Sequence, residues 1–258
     1  MPDFTIDTEV SDDHVGAVFF ARGRNNFFSA EMIGAIAAAL DELAASGRAR
    51  AVVLSGVGKH FCAGADLVDG VSGAALTGPD ELHLYDAATR LFESPLPIVA
   101  AVQGGAIGGG LGLALACDFR VASAASRFSA PFARLGVHPG FGLSVTLPLV
   151  VGHQRSLDLL YTGRRIGGKE AFDMGLADRL APVGGELTAA KELAAQIAAN
   201  APLAVRSIKA TLRGHLGEAV GVATSRERAE QDQHFQTEDA REGVRADAER
   251  RPPHFMGR

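Results

Sequence analysis

Two glycine-rich stretches contain the residues whose types and spacing could do chemistry. The first reads Phe61-Cys-Ala-Gly-Ala-Asp-Leu67, and the second has six glycines between Gly104 and Gly112. Glycine lets a ligand approach the backbone closely because it has no Cβ. The first amides of a helix lack an intrahelical acceptor and lie at the positive end of the helix dipole. A glycine turn that leads into a helix therefore predicts a site for an anion, or for an oxygen that gains negative charge.

The elements before these stretches must bring them together. Residues 51–54 precede the first stretch and residues 98–102 precede the second, and both runs are wholly apolar. Such runs are typical of strands buried on both faces of a parallel sheet. Because ligand sites in α/β sheets form at the carboxyl ends of strands, we expect both glycine turns to face one pocket. Residues 69–78, rich in Gly, Ala and Ser, are expected to form a flexible lid over it.

The flanking segments predict an α/β protein with a helical end. Residues 4–10 and 15–21 read as a hairpin, and Ser29 is a candidate helix N-cap. Pro79 is expected to start a helix that carries Tyr85 on its apolar face. Four helical segments without a strand follow residue 185: residues 186–199, 203–213, 219–236 and 240–250. Helical surfaces of this kind often form subunit contacts.

Composition and the other glycine motifs exclude several classes of protein. The chain of 258 residues is 47% hydrophobic and 21% charged, as in globular proteins, and its net charge of -5 gives no electrostatic reason to bind nucleic acid. The central stretch lacks the Gly-x-Gly-x-x-Gly of a dinucleotide site, and Leu113 follows Gly112 where a phosphate loop has lysine. No Gly-x-Ser-x-Gly elbow occurs.

A membrane span and a metal site are also disfavoured. Residues 94–117 carry no charge, but their glycines, with Pro95 and Pro97, make a poor membrane-spanning helix. Cys62 and Cys117 are far apart without metal-ligand spacing, so we expect two buried thiols and no metal. The acidic N-terminus lacks the apolar core of a signal peptide, so we expect a cytoplasmic protein.

Several separated motifs, in order, closely resemble the crotonase (enoyl-CoA hydratase/isomerase) superfamily. Besides the two glycine stretches they include Pro97-Ile-Val-Ala-Ala-Val, Asp118-Phe-Arg-Val-Ala, Tyr161-Thr-Gly-Arg-Arg-Ile and Glu238-Asp-Ala-Arg-Glu-Gly. The resemblance covers nearly the whole chain. It implies a ββα spiral core over residues 1–195 and a C-terminal helical oligomerisation region over residues 196–258, assembled as a homotrimer or as a hexamer of two trimers.

The resemblance also implies an acyl-CoA substrate, with coenzyme A carried by that substrate and no separate cofactor. The thioester oxygen would meet the backbone amides of Ala65 and Gly109, which form an oxyanion hole for the enolate. The backbone of Ala63, Asp66 and Leu67 would contact the adenine and pantetheine end. The candidate partners for the CoA phosphates are three cationic residues: Arg22, Arg24 and Lys59. The alternative is that each is a surface side chain surrounded by water.

The sequence departs from the family pattern at the positions of the catalytic acids. The two glutamates of hydratases correspond to Gly112 and Phe132. Gly140 stands where related isomerases have their catalytic acid. It also lies near the position of the nucleophilic aspartate of dehalogenase-like members of the family. The catalytic base of those members aligns near Tyr85. We therefore expect isomerisation or another enolate reaction in preference to hydration. The alternatives are a non-catalytic acyl-CoA binding or delivery protein, or a conventional hydratase.

His138, two residues before Gly140, is the candidate base, because imidazole titrates near neutral pH. The alternative is a histidine that hydrogen-bonds a loop carbonyl. Tyr85 is expected to line the acyl pocket or to be a core aromatic. Phe132 and Phe141 would make the pocket apolar, which suits an acyl chain better than a positioned water.

Overall fold

A computed structural model describes residues 3–65 and 83–258. The strands are β1 (Thr5–Val10), β2 (Val15–Ala21), β3 (Phe27–Phe28), β4 (Ala51–Gly56), β5 (Gly64–Ala65), β6 (Ile98–Val102), β7 (Gly105–Ile107), β8 (Phe119–Ser123), β9 (Arg127–Ser129), β10 (Arg165–Gly167) and β11 (Arg179–Ala181). The helices are α1 (Ala30–Ala45), α2 (Leu84–Glu93), α3 (Gly109–Ala116), α4 (Leu143–Val151), α5 (His153–Thr162), α6 (Gly168–Asp173), α7 (Glu186–Ala198), α8 (Pro202–Arg213), α9 (Leu216–His234) and α10 (Glu238–Ala248), and Pro131–Leu135 forms a 3₁₀ helix.

A six-stranded sheet in the order β1-β2-β4-β6-β8-β11 forms the centre of the chain. β1 pairs antiparallel with β2, which confirms the predicted hairpin, and the remaining pairs are parallel. Two small sheets, β10-β9-β7 and β3-β5, flank it. The parallel arrangement places the glycine turns that follow β4 and β6 at the same edge of the sheet.

Both faces of the central strands are covered, as the apolar runs predict. In β4, Val52 and Leu54 pack in the cluster that contains the apolar face of α1. Val53 belongs to a second cluster with Leu193 and Ala194 of α7. Strand β6 is buried throughout. The expected boundary between residues 195 and 196 falls inside α7, which packs on the sheet together with the core elements.

Several local expectations are confirmed. Ser29 caps α1 by accepting a hydrogen bond from the amide of Met32 at 3.3 Å. Residues 94–117 divide into β6, β7 and α3, and no helix within residues 3–65 and 83–258 is long and apolar enough to cross a membrane. Strand β10 was not predicted, because three residues flanked by arginine and glycine carry no alternating pattern. The expected lid, and the expected helix start at Pro79, lie outside the described residues.

The C-terminal helices fold back onto the core. Helix α9 packs against α2 and α4, and α10 packs against the 3₁₀ helix. Lys209 of α8 forms an ion pair at 2.8 Å with Asp118, which precedes β8. Helix α8 itself has no buried residue, and Leu203 and Leu212 are among its exposed apolar side chains. The four helices therefore both complete the core and leave an apolar surface outside.

Candidate active site

The two glycine turns line one cavity of about 610 Å³. Seven of the residues predicted for the site lie on its wall: Ala63, Ala65, Tyr85, Gly109, Phe132, Gly140 and Phe141. Asp66 and Leu67 lie outside the described residues. The expectation that both turns face one pocket is confirmed.

Backbone hydrogen bonds hold the two turns together. The amide of Phe61 donates to the carbonyl of Gln103 at 2.8 Å, and the amide of Cys62 donates to Gly105 at 3.0 Å. The amide of Gly105 donates to Nδ1 of His60 at 2.9 Å. Burial lowers the pKa of His60, so its ring stays neutral and can accept this bond. The turns are thus fixed to each other by main-chain geometry and by one imidazole.

Gly109 is the first residue of α3, and it lines the cavity. Its backbone amide finds no backbone acceptor within residues 3–65 and 83–258. An ideal Cβ on Gly109 would lie 2.7 Å from Cε1 of Phe28, so the residue must be glycine while Phe28 keeps its place. Strand β5 approaches this amide: an ideal Cβ on Gly64 would lie 3.8 Å from the Gly109 nitrogen, and the next residue, Ala65, lines the same cavity. This arrangement can receive an oxygen that gains negative charge.

Phe141 occupies the space beside Gly112. An ideal Cβ on Gly112 would lie 2.7 Å from both Cβ and Cδ1 of Phe141, closer than real Cβ contacts. Phe141 is fully buried and has a φ of 62°, a left-handed conformation that is costly for an aromatic residue. Its ring packs against Phe28 with centroids 5.6 Å apart. With Phe132, it makes this part of the cavity apolar.

Tyr85 occupies the space beside Gly140. An ideal Cβ on Gly140 would lie 2.7 Å from Cζ of Tyr85, and the hydroxyl is closer still. The hydroxyl donates to Oε1 of Gln231 on α9, and Nε2 of Gln231 donates to the carbonyl of His138 at 2.7 Å. Burial, and then the nearby charge of Glu227, raise the pKa of the Tyr85 phenol well above its usual value. The phenol is therefore neutral and hydrogen-bonded.

His138 is not among the residues that line the cavity in the described part of the chain. Its Nδ1 lies 2.8 Å from the carbonyl of Pro139, and its ring stacks on His234 with centroids 6.5 Å apart. The backbone amide of His138 donates to Nδ1 of His234 at 3.1 Å. This is the arrangement of the alternative interpretation, in which the histidine bonds a loop carbonyl.

The three candidate phosphate partners lie away from the cavity wall. Arg22 pairs with Asp3 at 2.8 Å and donates to the carbonyl of Phe27 at 3.1 Å. Arg24 and Lys59 are exposed, and their positive charges, with that of Arg165, help to lower the pKa of His60. Arg24 and Lys59 therefore lie near His60, at the start of the first glycine turn.

Sequence reasoning missed the wall that α9 and α10 provide. Gln231 comes from α9, Phe235 directly follows that helix, and exposed Arg241, Arg245 and Asp247 come from α10. Their helices were predicted, but no local signal in the sequence distinguishes a helix that covers a cavity from one that forms a subunit contact. The C-terminal region thus contributes to the site directly.

The chemistry available in the described residues is that of oriented amides and hydrogen bonds. Burial raises the pKa of Cys62 and of Cys117 to about 12, so both are neutral buried thiols as expected. Within residues 3–65 and 83–258, no three His, Cys, Asp or Glu side chains group closely enough to hold a metal ion.

Comparison with known proteins gives consistent matches over nearly the whole chain. The family model described as Enoyl-CoA hydratase/isomerase matches residues 11–258. An enoyl-CoA isomerase/hydratase of Mycosarcoma maydis is 36% identical over 214 residues, which are 81% of this chain and 77% of that protein. The crystal structure of an enoyl-CoA hydratase/isomerase from Pseudoalteromonas atlantica T6c superposes with a TM-score of 0.87 at 31% identity, covering 97% of this chain and 99% of that one. An enoyl-CoA hydratase from Mycobacterium avium subsp. paratuberculosis K-10 gives a TM-score of 0.83 at 25% identity, with 97% and 98% covered.

Proposed function

Because the chain belongs to the enoyl-CoA hydratase/isomerase family and has its crotonase-type fold, we propose that it binds an acyl-CoA thioester and stabilises its enolate. The thioester oxygen accepts hydrogen bonds from the amides of Ala65 and Gly109. The observation that carries the proposal is that Gly109, whose amide has no backbone acceptor within residues 3–65 and 83–258, lines the same cavity as Ala65.

The proposed step is removal of a proton from the carbon next to the thioester carbonyl. The electron pair left by that proton moves onto the carbonyl oxygen, where negative charge grows. A fixed amide donor at such an oxygen contributes about 3 kcal/mol to the stability of the transition state. Returning the proton at another carbon shifts a double bond and consumes no water.

Isomerase-like or other enolate chemistry is favoured over hydration by the apolar wall. By the family resemblance, Phe132 and Gly112 correspond to the two acids of hydratases; Phe132 lines the cavity, and Phe141 fills the space beside Gly112. A hydratase must hold and activate a water between two carboxylates, and neither phenylalanine side chain offers that water a hydrogen-bond acceptor. His138 donates from Nδ1 to the Pro139 carbonyl, which leaves Nε2 as the candidate base, but its side chain does not line the described part of the cavity.

A non-catalytic acyl-CoA binding protein is the second candidate. The observation that favours it is that aromatic side chains occupy the space beside two glycines. Phe141 occupies the space beside Gly112, and Tyr85 occupies the space beside Gly140. Such a protein would keep the cavity and the amide pair but exchange no protons.

Exchange of the thioester α-protons with D₂O, followed by NMR on a saturated acyl-CoA, tests the proposal. Exchange above the buffer rate is expected, because it reports enolate formation whatever reaction follows. Turnover of 2-enoyl and 3-enoyl thioesters then identifies the reaction. Calorimetric binding without exchange on any thioester would establish the second candidate, and absence of binding would reject both.

The assembly that we propose is a homotrimer or a pair of trimers in the cytoplasm. The exposed apolar residues of α8, among them Leu203, Ile208 and Leu212, support a contact with other subunits. Light scattering after size-exclusion chromatography measures the assembly, and a monomer would contradict it.

A further inference from the structure

Helix α3 begins at the cavity and ends inside the protein. Its first residue, Gly109, lines the cavity, and all eight residues of the helix are buried. Because a helix rises 1.5 Å per residue, α3 spans about 12 Å. The groups that bind its last residues, Leu115 and Ala116, are therefore too far from Gly109 to touch a ligand at that amide. They can act on the amide only through the helix.

Arg213 of α8 binds the carboxyl end of α3. Its Nη2 donates to the carbonyl of Leu115 at 3.3 Å and to the carbonyl of Ala116 at 3.1 Å. The last carbonyls of a helix lack an intrahelical donor, and a cation there also meets the negative end of the helix dipole. Nε of Arg213 lies 3.1 Å from Oδ1 of Asp118. The guanidinium thus joins the end of α3 to the residue that precedes β8.

Hydrogen bonds to charged groups also hold α8 in place. The helix has no buried residue. Nζ of Lys209 donates to the carbonyl of Leu96 at 2.7 Å and to Oδ2 of Asp118 at 2.8 Å. The same oxygen of Asp118 accepts from the amide of Ile98, the first residue of β6, at 2.7 Å. Asp118 therefore ties α8 to the central sheet, and Arg213 reaches α3 from a fixed position.

A second arginine lies at the same end of α3. Nη1 of Arg120 donates to the carbonyl of Cys117 at 3.1 Å, but Arg120 is buried and forms an ion pair with Asp178 at 2.6 Å. Its removal would disturb the core as well as the helix end. The side chain of Arg213 is 22% exposed, so it can be replaced without opening a cavity in the core.

We propose that Arg213 is a positioning residue for the oxyanion hole. By binding the carboxyl end of α3 it fixes the direction of the helix, and with it the direction of the Gly109 amide. The inference rests on the proposed function, in which that amide donates to the thioester oxygen. Since charge grows on this oxygen only as the enolate forms, loss of Arg213 should weaken binding of the transition state more than binding of the substrate.

The rate of α-proton exchange between hexanoyl-CoA and D₂O tests the inference. Arg213→Met is expected to lower kcat by about threefold to tenfold, a fraction of the 10²–10³-fold that complete loss of an oxyanion donor costs, with KM changed by less than about twofold. Arg213→Lys keeps a cation near the two carbonyls and should recover part of the rate. The matched control is Arg206→Met, which removes an exposed arginine from the same helix and should leave kcat unchanged.

A double-mutant cycle separates positioning from a general loss of stability. With Phe28→Ala and Gly109→Pro the amide is absent, so adding Arg213→Met should leave the exchange rate unchanged. With Phe28→Ala and Gly109→Ala the amide is present, and the threefold to tenfold loss should return. If Arg213→Met does not fold, Arg213→Lys is compared in the same two backgrounds.

Two results would overturn the inference and leave the proposed function standing. One is a wild-type exchange rate in the folded Arg213 variant, and the other is an equal fold-loss in the proline and alanine backgrounds. Absence of exchange by the wild-type protein would overturn both the inference and the proposed function.

Discussion

The ring of Phe141 lies where a side chain on residue 112 would have to go. An ideal Cβ on Gly112 would be 2.7 Å from Cβ of Phe141, so glycine at one position and phenylalanine at the other are complementary. The two residues must therefore change together if an acid is to be placed at position 112 of α3.

Gly112→Glu alone is expected to destabilise the protein by about 1–3 kcal/mol, as overpacking of a dense core does. Phe141→Gly should cost less stability in that background than in the wild-type protein, because there it also removes the clash with residue 112, while in both it leaves a cavity beside Phe28 and relieves the left-handed φ of 62°. Urea unfolding measures both. Gly112→Gln, with the same bulk and no charge, separates overpacking from burial of a carboxylate. A fully stable Gly112→Glu single variant would contradict the predicted clash.

The same pair predicts how hydration could be introduced. The wild-type protein should hydrate crotonyl-CoA weakly or not at all, whereas Gly112→Glu with Phe141→Gly and Phe132→Glu should gain hydration above that level. Loss of the enoyl thioester absorbance measures the rate. A wild-type rate like that of hydratases in general would refute the preference for enolate chemistry without water.

Local patterns in the sequence predicted the hairpin, the Ser29 cap and the two glycine turns that face one cavity, whereas the amide pair of Ala65 and Gly109 is implied by the family resemblance. The hairpin, the Ser29 cap and the glycine turns depend on neighbouring residues, and the same residues form them in the structure. The polar part of the site depends on contacts that no local pattern encodes. Tyr85 and Gln231 meet across 146 positions, because α2 and α9 pack against each other. What fills the space beside Gly140 could be known only from that packing.

The Gly109 amide can be removed without changing much else. Proline is tolerated at the first position of a helix, and Phe28→Ala makes room for its Cβ. In that background Gly109→Pro should slow α-proton exchange by about 10²–10³-fold relative to Gly109→Ala, because an oxyanion donor is lost. The alanine variant carries the same Cβ and keeps the amide. Equal exchange rates in the two double variants would exclude Gly109 from the oxyanion hole.

His138 can be tested as a base directly. Since its ring bonds the Pro139 carbonyl and stacks on His234, His138→Ala is expected to lower kcat for exchange by less than about threefold, a factor of the size of one modest hydrogen bond. The measurement is the rate on a saturated acyl-CoA, with circular dichroism as the check on folding. A folded variant that has lost about 10²-fold or more would instead identify His138 as the general base.

His60 predicts a loss of stability in acid. Its folded pKa lies below the usual value because the ring is partly buried, and Nδ1 must stay unprotonated to accept from Gly105. His60 therefore binds a proton more readily in the unfolded chain than in the folded protein. Its contribution to the free energy of unfolding is complete above about pH 6.5 and is lost as the pH falls toward the lower folded pKa.

Replacing single histidines separates their contributions to the pH dependence of stability. His60→Asn keeps an acceptor atom near the position of Nδ1 and removes the titration, so its stability should fall less steeply than that of the wild-type protein between pH 7 and pH 5. His83, whose pKa burial also lowers and whose Nδ1 caps α2, should contribute in the same direction, and the double variant with His83→Asn should give the flattest curve. The exposed His254→Asn is the control. Parallel curves for wild type and His60→Asn in urea unfolding would show that the Gly105 bond does not depend on the neutral ring.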